Sequence, residues 1–91
     1  MSNLILLKFP KHSTVINTDH LSTILASNEN KNTIIFSFLS GRWTEITISS
    51  KYNIIDKVIA KLYEQIAYKI SDEIDLLDIV EEIEKEEEEK S

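Results

Sequence analysis

Apolar and polar residues alternate through the first half of the chain and recur at helical spacing through the second. Residues 3–9 predict a first strand, stopped by Pro10, because the residue before proline is held extended and proline has no N–H to give a ladder. Its two pleat faces are both apolar. Leu4 and Leu6 lie on one, Ile5, Leu7 and Phe9 on the other. A strand of this kind is normally covered on both sides, and in a chain this short the second cover is expected from a partner. Residues 11–13 form a turn, and residues 14–16 extend a short strand. Asn17-Thr18-Asp19 is turn chemistry, since these side chains bond nearby backbone groups. Residues 21–26 form another strand, followed by the polar loop 27–32.

Residues 33–39 and 42–48 predict a hairpin around Ser40-Gly41. Gly41 is the only glycine in the chain, and a hairpin turn commonly needs the positive φ that glycine adopts at no steric cost. Ile34, Phe36 and Phe38 share one face with Thr44, Ile46 and Ile48 as candidates opposite, and this face predicts the core. Ile35, Ser37, Leu39, Trp43, Glu45 and Thr47 share the other, a mixture suited to an interaction surface.

From residue 53 the period changes from two to about 3.6. Asn53 is placed to cap a helix over 53–69, with Asp56 as the acidic member of a capping box. Ile55, Ile59, Leu62, Ile66 and Ile70 form its stripe. Ser71-Asp72-Glu73 suits the start of a second helix. Equally, Ile74 and Leu77 extend the first stripe into one long helix. Leu76, Val80 and Ile83 give the tail apolar positions of its own, and the residues after Ile83 are expected to fray. Strands followed by helices predict an α+β fold: an antiparallel sheet of three to five strands, then one long or two shorter helices. The expected organisation is a single domain over 1–70 and an acidic amphipathic helix or partly disordered tail over 71–91.

Charge sharpens that division. The chain has 91 residues and a net charge of −6. Residues 1–70 carry eight Lys/Arg against five Asp/Glu, and residues 71–91 carry eleven acids against two Lys. A weakly basic body is thus joined to a strongly acidic tail. There is no Cys, so neither disulfides nor thiolate metal sites support this small core. The longest apolar run, Leu4 to Leu7, falls far short of the roughly 20 residues of a spanning helix and of a signal-peptide core. A cytoplasmic protein of cellular or viral origin is expected, with no membrane partner.

Catalytic chemistry has little to work with. Nucleophilic catalysis needs a nucleophile, a base and an orienting group, and the only histidines, His12 and His20, flank turns outside any nucleophile motif. His12, Asp19 and His20 match no standard zinc spacing. One glycine cannot build a phosphate-binding loop. No catalytic, metal or cofactor site is expected, and the chain is read as a non-enzyme. Lys8, Lys11, Arg42 and Lys51 with Trp43 are too sparse for a nucleic-acid surface. The run Glu81 to Glu89 lacks the turns of a calcium loop and reads as a solvated helix face, or as a mimic of a nucleic-acid backbone that blocks a basic groove. Trp43 reads either as a packing residue or as an interface anchor beside Arg42, both being common hot-spot types. The candidate partner-binding residues are Ile35, Leu39, Arg42, Trp43, Leu76, Val80 and Ile83. They point to a regulatory or protein-binding module that acts as a homodimer, a larger homo-oligomer or an adaptor.

Over residues 14–66 the segments Ile16-Asn17-Thr18-Asp19-His20-Leu21, Asn32-Thr33-Ile34-Ile35-Phe36, Ser40-Gly41 and Glu45-Ile46-Thr47-Ile48-Ser49-Ser50, followed by a helix, run in the order seen in the small flagellar FlbD family. The chain resembles that family, although Ile48-Ser49-Ser50 stands where the closing acidic residue would fall. The resemblance implies a small accessory or regulatory protein without enzymatic residues.

Overall fold

In a computed structural model, residues 4–9, 13–68 and 72–90 form an α+β fold of six strands and two α-helices. In chain order these are β1 Leu4–Lys8, β2 Ser13–Asn17, β3 Leu21–Ala26, β4 Thr33–Phe38, β5 Trp43–Thr47, α1 Ile55–Ala67, β6 Glu73–Asp75 and α2 Leu76–Lys90. The strands divide into two sheets of three, ordered β2-β1-β6 and β3-β4-β5. The second is antiparallel throughout. In the first, β2 runs antiparallel to β1 and β6 runs parallel to it. The single sheet expected from the strand pattern is therefore two.

Each sheet turns its apolar face to one shared core. Ile5, Leu7 and Phe9 point inward from the first, with Ile16 opposite Ile5 and Ile74 beside Leu7. Ile34 and Phe36 point inward from β4, with Ile46 beside Ile34 and Ile48 just beyond β5. Thr44, a candidate for this face, pairs with Phe36 but is exposed at the sheet margin. Between β4 and β5, Gly41 adopts φ +89° and its N–H donates to the Phe38 carbonyl at 3.0 Å. The Phe38 N–H donates to the Arg42 carbonyl at 2.9 Å and closes the hairpin. Asn32 takes φ +54° at the entry to β4, a conformation asparagine tolerates better than most residues. Its carbonyl accepts the Ile48 N–H at 2.8 Å.

α1 packs on β3 and β4, and α2 packs on α1 and β1. The capping box expected at Asn53 and Asp56 is absent. Ile54 occupies the cap position, with no side-chain hydrogen bond, and its own side chain is buried in the core. Burial of Ile54 also rotates the helix from the expected stripe. Val58 and Leu62 are fully buried, while Ile55, Ile59 and Ile66 pack partly exposed along the flanks. Ile70 and the proposed Ser71 cap lie outside the described residues.

The region expected to be a separate tail completes the same core. Two helices form, not one, and β6 lies between them. The Leu6 N–H donates to the Asp72 carbonyl at 2.9 Å, and β6 then pairs along Leu6 to Lys8. Asp75 Oδ1 accepts the Leu77 N–H at 3.0 Å, an aspartate cap for α2. Leu76, Ile79, Val80 and Ile83 are all buried in the common core. The helix continues to Lys90, past the point where fraying was expected. A Lys57–Glu87 ion pair joins α2 to α1, and Ser50 Oγ donates to Glu84 Oε2 at 3.0 Å. Among the described residues, no helix is long and apolar enough to cross a membrane.

Candidate interaction surface

The outer face of β3-β4-β5 follows from strand alternation. With Ile34 and Phe36 turned inward, Ile35 and Ser37 must point outward. Ile35 is flanked by Leu25 on β3 and Glu45 on β5. Ser37 is flanked by Thr23 and Trp43. The two helices lie on the other side of this sheet, so no element of the described chain covers the outer one. Leu25 is 41 % exposed, Trp43 66 % and Leu39, in the hairpin loop, 70 %; Ile35 is half-buried. Leu25, Ile35, Ser37, Phe38, Gly41, Arg42 and Trp43 line a shallow depression of about 350 Å³.

Three of the seven residues expected to bind a partner are therefore brought together here, Ile35, Arg42 and Trp43, while Leu39 is exposed in the hairpin loop outside this depression. The other three, Leu76, Val80 and Ile83, are not. Each is buried in the chain's own core, because the helix that carries them folds back onto β1 and α1. They are structural residues and offer no surface. Leu25 is the residue that strand reading did not single out. Its place beside Ile35 depends on the β3-β4 register, which shifts through an irregularity between Leu21 and Thr23. The local pattern of β3 does not reveal that shift.

The electrostatics of the face are mixed. Arg42 and Glu45 are both exposed, one at the hairpin and one on β5, and neither belongs to an ion pair among the described residues. The dense negative charge sits elsewhere. Glu81, Glu82, Glu86, Glu88 and Glu89 are exposed on α2 while its apolar residues face inward.

The outer face of the first sheet is less developed. Leu4 and Val15 are exposed and Leu6 is half-buried opposite Val15. The apolar second face expected for β1 is thus present, with Leu6 its best covered member. Among the described residues, no group of three or more His, Asp or Glu side chains converges as metal ligands. His20 is exposed at the end of a 3-10 turn, Thr18–His20, and its carbonyl accepts the Leu39 N–H at 2.8 Å. His12 lies outside the described residues.

The chain matches no protein-family model, no curated protein and no solved structure.

Proposed function

We propose that the chain is a non-enzymatic interaction module that self-associates through the outer face of β3-β4-β5. The observation that carries this reading is the cluster of Leu25, Ile35 and Trp43 on a sheet face that no helix of the described chain covers. Exposed apolar residues scattered singly are ordinary, but a contiguous patch with a Trp and an Arg at its margin is the composition of an interface centre. A second copy is favoured as the partner because the face carries one cation, Arg42, against one carboxylate, Glu45, and so does not repel its own copy. A two-fold interface uses the same patch on both copies. It also leaves the acidic surface of α2 outside the contact. A regulatory or accessory role, which the FlbD resemblance implies, agrees with a small domain whose output is a contact and not a reaction.

Size-exclusion chromatography with light scattering tests the reading. The native chain should elute as a dimer. Trp43→Ala should weaken association by about 2 kcal/mol or more, roughly thirtyfold. Ile35→Lys, which places a charge at the centre of the patch, should give a monomer. Both variants should keep a folded circular-dichroism spectrum, because neither side chain is in the core. A native chain that stays monomeric at high concentration would contradict self-association. Its specific capture of a different protein through Trp43 would make it an adaptor instead.

A further inference from the structure

A second feature lies on the inner side of the same hairpin. β2 is an outer strand of the first sheet and β5 an outer strand of the second. The two sheets diverge there, leaving an open cleft of about 640 Å³. This is within the roughly 300–1,000 Å³ usual for small-molecule sites. Its floor is apolar: Leu7, Phe9, Ile16, Phe36, Phe38 and Ile46. All but Phe38 are buried residues of the core, so the cleft is a gap in the packing that reaches the surface. The lining includes no Asp or Glu, although the chain has 16 of them. Among the described residues its charged or titratable members are Arg42 and His20, both exposed. The Arg42 guanidinium makes no ion pair among the described residues.

We propose that this cleft binds a single-chain aliphatic carboxylate, with the hydrocarbon between the sheets and the carboxylate on Arg42 at the mouth. The apolar floor selects an alkyl chain, since removing it from water is favourable in proportion to the area covered. The selection of an anion follows from Arg42, whose fork of N–H donors matches a carboxylate. The lining holds no carboxylate to repel it or to compete for the guanidinium.

Isothermal titration calorimetry tests this with dodecanoate and dodecyltrimethylammonium below their micelle concentrations and dodecanol below its solubility limit. Dodecanoate should bind saturably with one molecule per chain, and the cation should bind at least about tenfold more weakly. Arg42→Gln should weaken dodecanoate binding about tenfold and leave dodecanol unchanged. Thr44→Phe, at an exposed lining position whose side chain shares the inward face of Phe36, should block both. No saturable binding, equal affinity for cation and anion, or binding indifferent to both variants would each overturn the proposal. So would sedimentation of the chain with phosphatidylglycerol vesicles in the absence of binding to monomeric dodecanoate. Thr44→Phe leaves the outer face unaltered, so loss of ligand binding with the dimer intact separates this site from the self-association surface.

Discussion

Deleting residues 72–90 should abolish cooperative unfolding. The deletion removes β6 and α2, and with them the buried side chains of Ile74, Leu76, Ile79, Val80 and Ile83. Burying an aliphatic side chain stabilises a fold by about 1.5–3 kcal/mol, so these five together supply about 7–15 kcal/mol. That is comparable with the whole net stability of a typical domain, about 5–15 kcal/mol. The cut also strips β1 of its pairing along Leu6 to Lys8 and uncovers Leu7, which the native fold buries almost completely. Thermal melting by circular dichroism should change from a sigmoid in the full chain to a shallow drift in the truncated one. A sharp melt after truncation would mean that residues 4–68 form a self-sufficient domain and that α2 only decorates it.

Leu62→Ala should cost about 2–5 kcal/mol, the range for truncating a fully buried leucine. Leu62 has no exposed surface, and the helix that holds it packs on both β3 and β4. The surrounding elements are tied by sheet pairing on one side and by α2 on the other, so the space left behind has little freedom to collapse. For a domain of this size the loss lowers the melting temperature by about 10 °C or more. The adjacent Tyr63 is 66 % exposed, and Tyr63→Ala should change stability by no more than about 0.5 kcal/mol. Ile59→Ala should fall between them, because Ile59 sits half-buried on the flank. Denaturant titration of the three variants maps the helix face directly. Equal losses for Ile59 and Leu62 would restore the stripe read from spacing alone and contradict the orientation described here.

These comparisons mark where the chain's pattern suffices and where it does not. Short-range alternation was enough to find β3, β4 and β5, because Gly41 fixes the hairpin and Ile34 and Phe36 fix the inward face, but not to set the register of β3 or the exposure of Thr44. The same alternation placed Ile35 and Trp43 outside. The face of α1 was harder to read. Ile55, Val58, Ile59, Leu62 and Ile66 are apolar over a broad arc, and only the tertiary burial of Ile54 chooses the centre. β6 was not legible at all. It is three residues long, carries acids on both sides of Ile74, and exists because a distant strand offers a parallel edge. The acids also made residues 71–91 look like a solvated appendage. Leu76, Val80 and Ile83 were visible as a stripe, but their spacing could not say whether this chain or another would cover it. The inter-sheet cleft was invisible for a related reason, since it depends on how two sheets diverge and not on any local segment.

The central claim is that the apolar positions of α2 serve the chain's own core, while the outer face of β3-β4-β5 serves a second copy. Hydrogen–deuterium exchange of the full chain at low and high concentration tests both halves together. The account predicts added protection at high concentration along the hairpin of β4 and β5 and the adjoining β3, with the amides of α2 protected equally at both. Concentration-dependent protection of α2, with none along β3, β4 and β5, would contradict it.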